Sequence, residues 1–269
     1  MTDTALPISL AIITYNEEKN LGRCLESARG LVSEIVIVDS GSTDRTTKIA
    51  ADYRASVYHN PWPGHVAQKN IALSKCIQPW IVSLDADEAI SKDLRRSIIN
   101  LFNEGEPERN GYWINRKNYY LGAWIKYAWY PEWRLRMVKK EGALWEGADP
   151  HDKLSVNGST GRLAGDILHY SYVDLQDHID RTINYGRIGA RTLIQRGEKF
   201  KWYQLVFSPW MRFAKTMILK HAWRDGWRGW IIAYSSLLTC FTKYAFAYEE
   251  ALNNTVDKRM AQGEENDEL

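Results

Sequence analysis

The apolar run from Trp80 to Leu84 passes directly into Asp85, Asp87 and Glu88. So short an apolar run reads as a buried strand. Carboxylates gathered at the end of such a strand lose hydration and repel one another, which is costly unless a cation or ligand offsets them. A divalent metal carrying an anionic ligand, such as a nucleotide diphosphate, meets that demand. The feature points to an enzyme.

The same pattern recurs upstream. Ile8 to Thr14 is a β-branched run, after which Asn16 offers a helix N-cap with Glu17 and Glu18 in the first turn. Leu21, Cys24, Leu25 and Ala28 follow at helical spacing, and Gly30 marks a stop. Glu34 to Asp39 reads as a second strand, Ser40 to Ser42 as a turn, and Thr43 or Asp44 as the cap of a helix reaching about Tyr53. Ser56 to His59 is a third strand. The rigid loop Asn60 to Gly64 precedes a helix to about Lys75, and Ile90, Leu94, Ile98 and Leu101 stripe another. Strands alternating with helices predict an α/β fold, a mainly parallel sheet with helices on both faces. Ligands bind such sheets beyond the carboxyl ends of the strands. The clusters Thr14 to Glu17, Asp39 to Asp44 and Asp85 to Glu88 all fall there. No Gly-x-Gly-x-x-Gly follows the first strand, which disfavours a dinucleotide oxidoreductase.

From Gly111 to His169 shorter strands alternate with aromatic, Gly-rich loops, and after Asp174 the pattern is helical. Ile179, Ile183, Ala190 and Leu193 form one stripe; Trp230, Ile231, Tyr234, Leu238, Phe241, Ala245 and Tyr248 form a longer one. Twelve Trp and fifteen Tyr, most of them after residue 110, suit sugar stacking or a membrane interface. Between residues 199 and 230, Lys199, Lys201, Arg212, Lys215, Lys220, Arg224 and Arg228 interleave with aromatic side chains, as in a helix lying in an anionic leaflet. The alternative packs those rings on the catalytic domain and leaves a solvated basic face. Gly229 to Thr242 falls short of the ~20 residues of a spanning helix, and Met1 to Pro7 lacks signal-peptide character. A net charge of +2 is too mild to argue for nucleic acid. Cys24, Cys76 and Cys240 are scattered and read as buried reduced thiols, in keeping with a cytoplasmic protein. The expected organisation is a catalytic domain over 1–172, a helical arm over 173–252 and an acidic disordered tail over 253–269.

Taken together, Ile12 to Glu18, Val38 to Asp44, Gln68 to Asn70 and Leu84 to Glu88 resemble family 2 glycosyltransferases of the GT-A fold. Tyr130 to Arg136 and the helical C-terminus resemble the subgroup that adds glucose or a related hexose to lipopolysaccharide core. The resemblance spans roughly residues 8 to 250 and implies an inverting transfer from a nucleotide sugar, most simply UDP-glucose, with Mg²⁺ or Mn²⁺.

On that resemblance Asp85 and Asp87 form the DXD pair that meets nucleotide and metal. Asp39 would accept from uracil or ribose, and Thr14, Asn16 and Glu17 divide between nucleotide contact and capping. Lys69 would neutralise diphosphate or stand as an exposed helix lysine, and Asp44 is as well suited to cap the helix that follows it. The general base falls among Asp152, Glu146 and Asp149, with Asp152 preferred because relatives often show a His-Glu pair where this chain has His151-Asp152. His169 would be a metal or diphosphate ligand, with His151 as competitor and a core histidine as the plain alternative. Trp124, Trp129, Tyr130 and Trp133 would stack on sugars near the acceptor or serve as core, Gly122 would admit the donor, and Arg134 and Arg136 would meet diphosphate or an acidic acceptor or lie solvated on a strand edge. The expected setting is peripheral, on the cytoplasmic face of the inner membrane, with a glycolipid acceptor. Rival readings are a polyprenyl-phosphate or capsule-intermediate transferase and a non-catalytic membrane-bound adaptor.

Overall fold

The computed structural model describes residues 5–147, 152–197 and 201–261. Two compact units emerge, one of residues 1–119 with 130–171, the other of residues 120–129 with 172–269.

The first unit is built on strands β1 (Leu6–Thr14), β2 (Val32–Asp39), β3 (Ser56–His59) and β4 (Trp80–Ser83), all parallel and ordered β3-β2-β1-β4. Helices α1 (Leu21–Ala28), α2 (Thr46–Asp52) and α3 (His65–Lys75) connect them. Ile8, Leu10 and Ile12 of β1 pack on Leu21 and Leu25 of α1, while Ala11 packs on the side that holds Ala72 and Leu73 of α3. Side chains alternate across a strand, so a continuous apolar run fits a sheet covered on both faces.

Beyond β4 the sheet turns mixed. Short β5 (Glu88–Ile90) follows the acidic turn, then α4 (Lys92–Asn103), β6 (Gly111–Tyr120) and the two-residue β7 (Ala123–Trp124). Strand β8 (Trp133–Lys139) lies antiparallel between β4 and β6. Strands β9 (Leu144–Glu146) and β10 (Lys153–Ser155) form a separate hairpin. Strand β11 (Thr160–His169) runs parallel to β6 and antiparallel to β5, completing the order β4-β8-β6-β11-β5. Two antiparallel steps restore direction, so β6 and β11 end at the same margin as β1, β2 and β4. This mixed, largely parallel sheet is the GT-A arrangement expected.

Several local expectations are corrected. Asn16 does not cap α1: it sits at φ 55° and the helix starts at Leu21, behind a turn in which the Asn20 and Leu21 amides donate to the Glu17 carbonyl. Ile90 belongs to β5, because the chain first pairs with β11 before α4 starts at a Ser91 cap.

The second unit contains α5 (Leu175–Gln195), α6 (Trp202–Ala214) and α7 (Trp227–Ala261), with a π-turn at Lys215–Leu219 and a 3-10 turn at Ala222–Asp225. The buried face of α5 is His178, Thr182, Gly186 and Ala190, one position from the expected Ile179–Ile183 stripe. Close approach of α7 is the reason: a Cβ on Gly186 would lie 2.0 Å from Thr242 Oγ1. On α7 Gly229, Ile232, Ala233 and Ala247 are buried, whereas Trp230, Tyr234 and Phe241 are exposed. The expected stripe is thus half-buried: Ile231 packs on the core cluster, and the Trp230 and Tyr234 rings lie 6.0 and 5.0 Å from Phe213. Helix α7 also continues through Ala261, past the boundary placed at residue 252, since no Gly or Pro occurs before Gly263. Residues 262–269 of the acidic tail lie outside the described residues.

Candidate active site

Each strand end at the shared margin carries a polar loop. After β2, Asp39 is buried and takes four hydrogen bonds: from Thr14 Oγ1 (2.8 Å) and Ser42 Oγ (2.5 Å) on Oδ1, and from the Gly41 (2.9 Å) and Ser42 (2.8 Å) amides on Oδ2. Burial pushes this carboxyl up, but those donors outweigh it and hold it below the usual range. Asn16 joins the loops after β1 and β2, its Oδ1 accepting from the Thr43 amide at 2.8 Å. Asp44 accepts from the Thr46 amide at 2.9 Å and the Glu18 amide at 3.1 Å, but it stands one position before the N-cap, which is Arg45 and not Thr43 or Asp44. Thr14, Asn16 and Asp39 thus brace the two loops against each other.

The acidic turn after β4 is not the uncompensated cluster that its sequence indicates. Glu88 is fully buried, and its Oε1 lies 3.0 Å from Arg136 Nη2 and 3.6 Å from Arg116 Nη1. Arg136 also holds Asp85 Oδ2 at 2.9 Å, while Lys69 Nζ holds Asp85 Oδ1 at 2.9 Å and Asp152 Oδ2 at 2.7 Å. At the other end Arg116 reaches Glu132 at 2.8 Å and Arg134 reaches it at 2.6 Å. The sequence Glu132–Arg116–Glu88–Arg136–Asp85–Lys69–Asp152 is therefore a ladder of alternating charge. Burial raises the Asp85 carboxyl, yet Lys69 and then Arg136 overcome it and hold it well below the ordinary range. For Glu132 burial likewise opposes ionisation, and Arg116 and Arg134 bring it down to about 2.

Two expectations fall here. Lys69 is no exposed helix lysine, because it is 7% exposed and lies 4.3 Å over the Trp145 ring. Arg136 does not lie solvated on a strand edge; at 4% exposure it pairs with Asp85 and Glu88.

Asp87 stands outside the ladder. Its Oδ2 is 3.3 Å from His169 Nε2, and His169 Nδ1 is 2.6 Å from Asn118 Oδ1. An amide oxygen only accepts, so Nδ1 carries the hydrogen and Nε2 turns towards the carboxylate. A neutral imidazole would present a lone pair there, leaving two electron-rich atoms facing each other. A proton or a metal cation between them removes the conflict, and an imidazole oriented from its other nitrogen is the usual form of a metal ligand. Cross-strand register builds the pair: His169 sits opposite Asn118 of β6 and Glu88 of β5, and the Tyr170 amide donates to the Asp87 carbonyl at 3.0 Å.

Glu17 faces the same acids. Burial first, then the charges of Asp87, Asp44 and Asp85, raise its carboxyl against the opposing bond from Asn20. Among the described residues no group of three or more His, Cys, Asp or Glu is placed to hold a metal alone. Two protein ligands are enough where phosphate oxygens and water complete the shell, as is usual for Mg²⁺. The donor set fits a cation of that kind.

Of the candidate bases, Asp152 joins the site through Lys69. Glu146 is exposed and lies on the face of β9 opposite Trp145, away from Lys69, because successive strand residues alternate. Asp149 and His151 lie outside the described residues. The rings expected on sugars are mostly engaged elsewhere: Trp129 stacks on Tyr172 at 5.4 Å, Tyr130 donates to Asp166 at 3.0 Å, and Arg162 covers Trp133 at 4.6 Å. Trp124 is half-buried. The group nearest Gly122 is the Arg228 guanidinium, which donates to the Leu121 carbonyl at 2.8 Å.

Sequence reasoning missed the division of labour in Gln68-Lys69-Asn70. Gln68 donates to Ser40 Oγ (3.0 Å) and the Asn60 carbonyl (3.1 Å), Lys69 spans Asp85 and Asp152, and Asn70 exchanges two 2.8 Å bonds with the Trp145 backbone. Three successive helical side chains point about 100° apart and so reach three different loops. The available signal was a run of three polar amide and amine side chains inside a helix with apolar neighbours on either side.

The margin thus brings Asp85, Asp87, His169 and Asp152 together at the strand ends, where the resemblance to family 2 glycosyltransferases led them to be expected. The Glycosyl transferase family 2 model matches residues 9–157, and the chain belongs to that family of transferases. It is 31% identical over 256 residues to the lipopolysaccharide core biosynthesis glycosyltransferase LpsC of Rhizobium meliloti, covering 91% of this chain and 93% of that one. An uncharacterized glycosyltransferase of Rickettsia typhi is 28% identical over 88% of this chain and 84% of its own. Among solved structures, S. aureus TarS in complex with UDP-GlcNAc overlays with a TM-score of 0.47 at 14% identity, covering 97% of this chain and 93% of that one.

Proposed function

We propose that the protein transfers a hexose, most simply glucose from UDP-glucose, to a lipopolysaccharide core or related glycolipid acceptor with inversion at the anomeric carbon. The observation that carries this reading is the Asp87–His169 pair: among the described residues Asp87 has no guanidinium or ammonium partner, while Asp85 has two. Asp87 and His169 would hold Mg²⁺ or Mn²⁺, which when bound offsets the charge of the departing diphosphate. Asp85, Asp39, Thr14, Asn16 and Glu17 would line the nucleotide side, and the braced loops after β1 and β2 would exclude water from the base and ribose. Asp152 would accept the proton of the acceptor hydroxyl. As that oxygen bonds to the anomeric carbon, the bond to the diphosphate oxygen breaks and nucleotide diphosphate leaves. The similarity to LpsC, named for lipopolysaccharide core biosynthesis, supports the acceptor class.

Among the described residues no helix is long and apolar enough to cross a membrane. Helix α6 nevertheless exposes Trp202, Tyr203, Val206, Phe207, Trp210 and Met211, continued by Ile218 and Leu219. Exposed Lys201, Arg212, Lys215 and Lys220 flank them. Apolar rings with basic neighbours fit the cytoplasmic leaflet of the inner membrane, where a glycolipid acceptor would be met.

Purified protein in detergent with Mn²⁺, offered a panel of nucleotide sugars and a core-lipid acceptor, tests the reading through nucleotide diphosphate release. UDP-glucose should support acceptor-dependent release, and Asp87→Ala should remove it; release that ignores acceptor and survives Asp87→Ala would sink it.

A further inference from the structure

Lys69 is buried between two carboxylates that belong to opposite ends of the chemistry. On one side it meets Asp85 Oδ1 at 2.9 Å, on the other Asp152 Oδ2 at 2.7 Å. Its ammonium is capped by the Trp145 ring at 4.3 Å, and that ring also lies 5.6 Å from the Arg136 guanidinium. The Asn70 side chain clamps the Trp145 backbone through two 2.8 Å bonds, so α3 and hairpin β9–β10 are fixed to each other on both sides of the lysine. Asp85 has Arg136 as a second cation, whereas Lys69 is the only ion-pair partner of Asp152 among the described residues. The lysine is therefore partly redundant at Asp85 and not at Asp152.

From this asymmetry we infer that Lys69 is a positioning residue that pins Asp152 Oδ2 and thereby presents Oδ1 to the acceptor hydroxyl. The inference rests on the transferase reading and on Asp152 as proton acceptor. Binding one carboxylate oxygen to a buried ammonium fixes the plane of the group, leaving the other oxygen as the free acceptor site. Asp152 directly precedes β10, and its side chain is 17% exposed beside the buried ammonium. Because the same ammonium touches Asp85, movement at the DXD turn is felt by the base through one side chain.

The test is a double-mutant cycle in the full chain, reading kcat for transfer and, separately, Mn²⁺–UDP affinity. Lys69→Met should lower kcat about 100-fold, the scale of a 1 Å misplacement of a reacting group, while affinity changes less than about fivefold. In an Asp152→Asn background the same change should lower kcat by less than about threefold, because a residue acting through another has nothing further to remove. Lys69→Cys alkylated to S-aminoethylcysteine should regain at least about tenfold, with similarly treated unsubstituted protein as control for Cys240. Losses that multiply between the two positions, or an affinity loss that accounts for the whole effect, overturn the inference and leave Lys69 as a structural or diphosphate-binding residue. An unsubstituted protein that transfers no sugar sinks the transferase reading instead, and the inference with it.

Discussion

The two units bury polarity in opposite ways. In the first, seven ionic side chains from β4's following turn, β5, β6, β8, α3 and the approaches to β8 and β10 alternate in sign beneath the sheet margin. In the second, His178 is buried and kept neutral inside a cluster of Tyr120, Trp129 and Tyr172, with its Nδ1 2.5 Å from Tyr120 Oη. Buried ions are retained only where each has a partner, and removing one leaves a bare charge. Aromatic and small-residue packing carries no such liability and tolerates an exposed apolar face. Charge-laddered burial suits a site that must hold anions in fixed places. The aromatic unit suits a surface that meets another phase.

The largest expected effect separates the two principles most sharply. Asp87→Ala should cost at least about 100-fold in activity yet leave thermal stability nearly unchanged, because Asp87 lies off the ladder. Arg136→Met should do the reverse to the fold, lowering unfolding free energy by about 3–5 kcal/mol in a denaturant titration, since buried Glu88 would keep, besides the Asp85 amide bond, only the 3.6 Å contact to Arg116 as an ion pair. A small loss there would mean that the ladder is not what holds the first unit.

Acid should distinguish the units in order. Burial lowers His178 from 6.5 to about 4, so its contribution is full above pH 6.5 and is lost as pH falls towards 4, when the unfolded chain gains a proton that the folded one refuses. Glu132, lowered from 4.5 to about 2, contributes fully above pH 4.5 and loses that contribution only as pH falls towards 2. Each is worth up to about 3 kcal/mol. Hydrogen exchange from pH 6.5 downwards should therefore loosen the aromatic cluster first and the ladder later. Gly186→Val should destabilise α5 against α7 by about 1–3 kcal/mol through overpacking. The smallest effect on stability belongs to Trp210→Glu, within about 0.5 kcal/mol, since the ring is 60% exposed. The same change should reduce flotation with anionic liposomes; unaltered flotation would remove α6 as the contact.

What the sequence made legible was local. Strands β1 to β4, the helices between them and the polar clusters at their ends follow from runs, spacings and turn residues, and so does the convergence of Asp39, Asp85 and Asp87 on one margin. The ladder was not legible, because its partners are far apart in the chain: Arg136 meets Glu88 across 48 positions and Asp85 across 51. Alternation in β8 places Arg134 and Arg136 on one face, but it does not reveal that Arg136 is buried and Arg134 partly exposed. Similarly, helical spacing finds the Trp230–Tyr234–Phe241 stripe without indicating that these rings stay about half exposed, with Trp230 and Tyr234 against Phe213. Gly186 and Ala190, which let α7 approach, carry too little hydrophobicity to mark a buried face.

Asp85 and Asp87 differ in whether a cation can reach them, Asp85 being held by Lys69 and Arg136. Crystals of the full chain grown with UDP and Mn²⁺ and measured at the manganese edge address this directly. The account predicts an anomalous peak against Asp87 and His169, with Asp85 still held by Lys69 and Arg136; no peak, or one bound to Asp85 with those pairs broken, would contradict it.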